Sequence, residues 1–185
     1  MHFQSTDFPG AWIIEPNVFQ DYRGYFFESY NKQAFADHNL EFDFVQDNHA
    51  RSEKGHVLRG FHFQFPPRAQ AKLIRVTAGA IYDVSLDMRK GSPSFGKCLT
   101  IHLSSENFRQ LLIPRGFAHA YLTLKPETEV QYKVDALYDP DLESGIFWND
   151  PELQVSWPLQ NPIISDKDKK LPLWGALANP FKFLN

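Results

Sequence analysis

The chain holds one cysteine, Cys98, in 185 residues, so no intrachain disulfide staples it, in keeping with a reducing compartment. Methionine is nearly as scarce, 2 residues against 17 phenylalanines, a balance that favours strands over helices. Neither sign of charge dominates: 19 Lys and Arg against 22 Asp and Glu give a net charge of -3. The chain therefore lacks the global basic field that recruits nucleic acid or an anionic membrane, and any anion must be bound by a local cluster of Arg and Lys. No apolar run approaches the ~20 residues that span a bilayer. Met1 to Asp7 have neither a basic start nor an apolar stretch, which reads against a signal peptide and makes the cytoplasm the expected compartment.

What is present is ordinary for a folded protein: 43% hydrophobic and 22% charged residues. The length suits a single domain over 1–185 with a real core. Trp12 to Glu15 reads as a strand stopped by Pro16, and Gly24 to Ser29 as a second. Lys32 to His38 is the best helix candidate, short and polar, ending near Asn39. Strands follow at Phe42–Asn48, Val57–Gln64, Lys72–Ala78 and Ala80–Met88, then around Leu99, Ile101 and Leu103, and at Gln110–Ile113, Ala118–Leu124 and Glu129–Val134. Turn signals separate them at the ~8–12-residue spacing of sandwiches and barrels, and helices do not alternate with strands. The expectation is an all-β barrel or double sheet with a looser, proline-rich tail from about Asp139.

The segment Val57-Leu58-Arg59-Gly60-Phe61-His62-Phe63-Gln64 carries the densest chemistry. Alternation places Leu58, Gly60, His62 and Gln64 on one face and Val57, Arg59, Phe61 and Phe63 on the other. A neutral imidazole, with an ordinary pKa near ~6.5, suits proton abstraction at cytoplasmic pH, against the alternative of a core histidine bonded to a neighbour. Arg23 and Arg59 suit phosphate oxygens because a guanidinium fork matches them, or are plain surface arginines. Lys72 opens a strand, where a solvated ammonium is the simpler reading. Gln46, Asp47 and Asn48 are dense in hydrogen-bonding groups, Tyr132 and Tyr138 fit sheet packing, and Asp166 to Lys170 looks like a solvated charge run. A metal cupin site built on His62 and His119 would need a third ligand, and Gln64 is a poor one.

These residues closely resemble the dTDP-4-dehydrorhamnose 3,5-epimerase family, cupin-type enzymes of deoxysugar nucleotide synthesis. The resemblance runs from Ile14 to about Asp168. It rests on Asp21-Tyr22-Arg23-Gly24-Tyr25-Phe26, Val45-Gln46-Asp47-Asn48, Leu58 to Gln64, Gln70-Ala71-Lys72-Leu73 and Phe95-Gly96-Lys97. It continues through Ile113-Pro114-Arg115-Gly116-Phe117-Ala118-His119, Tyr132-Lys133, Gly145 to Pro151 and Ser165-Asp166-Lys167-Asp168.

The resemblance implies a cupin-like jelly-roll barrel with short peripheral helices, working without metal or organic cofactor. It implies His62 as base oriented by Asp168, Tyr132 as acid, Lys72 as enolate stabiliser and Tyr138 as the ring stacked on thymine. Arg23, Glu28, Gln46, Asp47, Asn48, Arg59, His119, Glu143 and Lys167 match substrate-contacting positions. The implied substrate is dTDP-4-keto-6-deoxyglucose, inverted at C3 and C5, and the implied assembly is a homodimer with exchanged N-terminal strands. Phe63 and Ala71 stand where the family usually has tyrosine and glycine, which keeps a C3-only epimerase open beside the metal-dependent cupin.

Overall fold

The computed structural model describes residues 1–183. Its strands are β1 (His2–Ser5), β2 (Trp12–Glu15), β3 (Phe19–Asp21), β4 (Gly24–Phe26), β5 (Gln46–Ser52), β6 (Val57–Gln64) and β7 (Lys72–Ala78). They continue with β8 (Ala80–Asp87), β9 (Cys98–Ser104), β10 (Gln110–Ile113), β11 (Phe117–Thr123), β12 (Thr128–Val134), β13 (Glu143–Gly145) and β14 (Ile163–Ile164). The single α-helix among the described residues, α1, spans Lys32–Ala36, with the Asn31 side chain accepting from the Gln33 and Ala34 N–H groups at its start. No described helix is long and apolar enough to cross a membrane.

Two sheets face each other in a cupin-like jelly roll. The first runs β1-β2-β10-β7-β12-β5, and the second β13-β6-β11-β8-β9, with β14 added parallel to β6. Ile74, Val76, Ile81, Leu103, Leu111, Ile113, Phe117 and Val130 fill one end of the space between them. The outer face of the second sheet is also buried. Phe61, Val84, Leu86, Met88, Ala118 and Ala120 meet Ile146, Leu153 and Phe181 from the C-terminal segment. On the first sheet, Ile14, Leu73 and Leu112 are covered by Phe35 and Leu40.

A sheet covered on both faces explains why β8 carries carboxylates and apolar residues that are equally inaccessible. Tyr82, Val84, Leu86 and Met88 join the cluster under the tail, while Asp83, Ser85 and Asp87 alternate with them and are fully buried. The tail is irregular as expected but not loose, since it contributes Ile146, Trp148, Leu153 and Phe181 to the core.

Several boundaries move. The expected strand over Phe42–Asn48 is instead β5, displaced to Gln46–Ser52, because Phe42 and Phe44 pack against Tyr30 and the α1 cluster while pairing with β12 extends to Ser52. The strand expected over Gly24 to Ser29 is half of a β3–β4 hairpin that ends at Phe26. The helix ends at Ala36, two residues before His38, where Asp37 caps it and Asn39 takes a positive φ.

Candidate active site

The alternation expected along β6 fails at its centre, and the failure builds the site. β6 pairs with β11 as Leu58↔Leu122, Arg59↔Tyr121 and His62↔His119. Between the last two pairs Gly60 and Phe61 stand against the single residue Ala120, which is a β-bulge. The extra residue shifts the phase, so Arg59 and His62 both line the cavity between the sheets while Phe61 turns to the outer core. Gly60 is required there. Its φ is +109°, and a Cβ would lie 2.8 Å from the Ala120 Cα and against the His119 carbonyl.

The cavity has a volume of about 590 Å³. Arg59, His62, His119 and Tyr121 reach it from the second sheet; Gln46, Asn48, Lys72 and Tyr132 reach it from the first; Tyr138, Glu143, Lys167 and Asp168 come from the C-terminal segment. His62 Nε2 lies 2.8 Å from Asp168 Oδ1, and the Gly60 N–H donates to Oδ2 at 3.2 Å. The Asp168 N–H in turn donates to Ser165 Oγ at 3.0 Å. Burial alone would raise the Asp168 carboxyl, but the bond and charge of His62 and the Gly60 N–H hold it below its ordinary value. An ionised carboxylate only accepts, so the His62 Nε2 carries a proton, and in the neutral imidazole Nδ1 holds the lone pair.

Lys72 is 8% exposed, which overturns the solvated reading of its position. Burial pushes its ammonium down to about 8, partly opposed by Asp83 and Glu143. Its Nζ lies 5.8 Å from the Tyr132 ring centre and forms no hydrogen bond with a described residue, so the charge is offered to the cavity. Burial raises the Tyr132 phenol, with Arg59 pulling the other way. His119 Nε2 lies 2.7 Å from Asp83 Oδ2, a second histidine–carboxylate pair on the same wall.

At the outer end Glu143 accepts from the Tyr138 hydroxyl at 2.8 Å and from Lys167 Nζ. Burial would raise its carboxyl, yet these two donors hold it low. Gln46 bridges its neighbours, donating to Asn48 Oδ1 at 2.9 Å and accepting from the Tyr138 N–H at 3.0 Å. Gln64, the third member of the metal-cupin alternative, is committed to backbone: it donates to Arg68 O and Leu137 O and accepts from the Asp139 N–H.

Three expected contacts fall outside this cavity. Asp47 points to the opposite face of β5, where Lys133 Nζ binds it at 2.9 Å, because successive strand residues alternate. Arg23 bonds Asp21 within the exposed hairpin, and Glu28 accepts from Asn31. Sequence reasoning also missed participants. Tyr121 follows His119 by two residues on one strand face, and Asp83 belongs to a carboxylate alternation inside an apolar strand, so both carried a readable signal. Ser165 and the Gly60 N–H, which hold Asp168, carried none.

Comparison with known proteins points to one family. The family profile described as dTDP-4-dehydrorhamnose 3,5-epimerase matches residues 5–175. A dTDP-4-dehydrorhamnose 3,5-epimerase of Shigella flexneri is 48% identical over 169 residues, covering 91% of this chain and 93% of its own. The crystal structure of the Bacillus anthracis epimerase with TDP and PPi bound superposes with a TM-score of 0.91 at 50% identity, covering 93% of this chain and 98% of that one. The Legionella pneumophila dTDP-6-deoxy-D-glucose-3,5-epimerase in complex with dTDP-4-keto-L-rhamnose gives a TM-score of 0.94 at 37% identity, covering 100% and 99%. With a cupin-like fold, a histidine–aspartate pair facing a lysine and a tyrosine, and matches that span nearly its whole length, the chain belongs to the dTDP-4-dehydrorhamnose 3,5-epimerase family.

Proposed function

We propose that the cavity binds dTDP-4-keto-6-deoxyglucose and inverts C3 and C5 through enolate intermediates. The observation that carries the reading is the placement of groups on opposed walls. His62 stands on β6 of one sheet, while Lys72 and Tyr132 stand on β7 and β12 of the other. Inversion needs removal of a proton on one face of the carbon and delivery on the other, since a base acting alone on one face would restore the original centre.

His62 Nδ1 takes the proton from the carbon beside the ketone, and the C–H electron pair moves onto the carbonyl oxygen. The Lys72 ammonium stabilises the enolate oxygen, a contribution typically worth ~10²–10³-fold. Tyr132 returns a proton to the opposite face, and solvent carries the proton from imidazolium to phenolate before the second carbon reacts. Asp168 steadies the imidazolium. This proton count closes on side chains and solvent, with no cofactor required. Arg59 serves the diphosphate, Gln46 and Asn48 the nucleotide end, Tyr138 stacks on thymine, and His119, Glu143 and Lys167 contact the substrate.

We infer further that the active unit is a homodimer. β2 finds its edge within its own chain, between β1 and β10, so strand exchange is not needed to complete that sheet. The argument moves to the β3–β4 hairpin, whose Tyr22 is 97% and Phe26 67% exposed. Arg23, substrate-contacting by family resemblance, lies on this hairpin, and Glu28, matched in the same way, follows β4 by two residues; neither lines the cavity of its own chain. Both observations support a hairpin that reaches a partner's site.

Proton NMR of the keto sugar in deuterated water tests the reaction. Label at both C3 and C5 is expected, and its disappearance in His62→Ala. Label at C3 alone points to the single epimerase, and normal exchange in His62→Ala removes the assigned base.

A further inference from the structure

The geometry points to the Tyr121 hydroxyl as a further substrate-contacting group, one that donates a hydrogen bond to an oxygen of the bound keto sugar at the inner end of the cavity. The inference rests on the keto-sugar reading given above.

Tyr121 sits two residues after His119 on β11 and faces the same way, directly across from Arg59. Its ring is rooted among Ile74, Val76, Ile81 and Val130, and the residue is 5% exposed. The hydroxyl has no hydrogen bond with any described residue. Every fully enclosed side-chain nitrogen or oxygen among those residues does have a partner. The hydroxyl is therefore not sealed in the core but opens into the cavity that Tyr121 lines.

Packing alone does not explain it. A phenylalanine would fill the same space without carrying a hydroxyl away from bulk water, and such a group costs stability unless it meets a partner. Burial, the largest influence, also pushes this phenol far above its ordinary value, so it remains a protonated donor. The partner is then an acceptor brought by the ligand.

Position selects the sugar over the nucleotide. Tyr121, Lys72 and His119 are 5%, 8% and 7% exposed and form the inner end of the cavity, whereas Tyr138 is 53% exposed at the outer end. The reacting carbons must reach His62 and Lys72, so the pyranose occupies the inner end. Its carbonyl, hydroxyl and ring oxygens are the acceptors within reach of a donor rooted there.

Tyr121→Phe, which keeps the ring, is the test, read by kcat/KM for the keto sugar and by calorimetric titration with dTDP. The expected result is a fall in kcat/KM of about tenfold, the size of one hydrogen bond, with dTDP affinity unchanged within about twofold. Retained dTDP binding also shows that the variant is folded. A kcat/KM within about twofold of wild type, or an equal loss of dTDP affinity, overturns the inference. Deuterium exchange by the wild type is measured first and tests the keto-sugar reading separately. A wild type without exchange overturns that reading and this inference together, while normal wild-type exchange with an unaffected Tyr121→Phe overturns this inference alone.

Discussion

His62 and His119 are cross-strand partners on β6 and β11, and each holds its own carboxylate through Nε2, Asp168 at 2.8 Å and Asp83 at 2.7 Å. The two pairs differ in access. The His62 side chain is 30% exposed toward the cavity and the His119 side chain 7%, with its Asp83 fully buried. An imidazole that must collect a proton and release it to solvent needs the more open position, which favours His62 as the base.

Asp168→Asn should retain the fold and lose most of the rate. An amide in place of the carboxylate no longer fixes the Nε2 proton or steadies the imidazolium, so kcat should fall ~10²–10⁴-fold with little change in dTDP affinity. The acid limb of stability should flatten as well. Since Asp168 is held below its ordinary value in the fold, its ionised form stabilises the native state above that value and the gain is lost as pH falls through the folded value. Denaturant titrations of both proteins between pH 3 and 7 measure this, and identical pH dependence would remove the carboxylate from the account.

Tyr132→Phe should separate exchange from inversion. The proposed base and enolate stabiliser remain, so deuterium should still enter at a flanking carbon while the yield of inverted sugar collapses. Epimerisation at the wild-type rate would mean that water or another side chain delivers the proton.

The Lys72 ammonium, at about 8, should set an alkaline limit on turnover. As pH rises through that value the charge proposed to stabilise the enolate disappears, and kcat should fall. Stability should move the other way. From about pH 8 toward the ordinary lysine value the unfolded chain binds a proton that the folded chain does not, so unfolding free energy rises with pH. Lys72→Arg, which stays charged, should carry the falling limb of kcat to higher pH. A limb that stays in place assigns it to another group.

Mixing an Arg23→Ala chain with a His62→Ala chain should restore activity if the hairpin completes the partner's site. Each homodimer lacks one function at both sites, but a mixed dimer has one site with both residues intact. No recovery after subunit exchange confirmed by mass spectrometry would rule out sharing, and light scattering that shows an active monomer would rule out the dimer.

The fold class was legible because alternation and turn residues are local. β7, β8, β10, β11 and β12 lie within a residue or two of where the pattern put them. β13 and β14 were not legible, because three- and two-residue strands exist only through pairing with β6. The same holds at the site. His62 announced itself through its neighbours, whereas Lys72 read as solvated until the C-terminal segment and the facing sheet enclosed it. Arg59 was assigned to the wrong face because period two assumes one residue against one, and the bulge at Gly60–Phe61 breaks that count. Asp168 looked like part of a charge run since nothing local shows that its backbone docks under β6.

The sequence separation between His62 and Asp168 also has a consequence for biogenesis. All the long strands are complete by Val134, yet the carboxylate that orients the imidazole arrives with the short 3₁₀ turn Asp168–Lys170. A ribosome-bound chain could already hold most of its barrel and still lack a directed base. On the proposed mechanism catalytic competence marks the last stage of maturation, and a nascent or C-terminally clipped chain is expected to be inert.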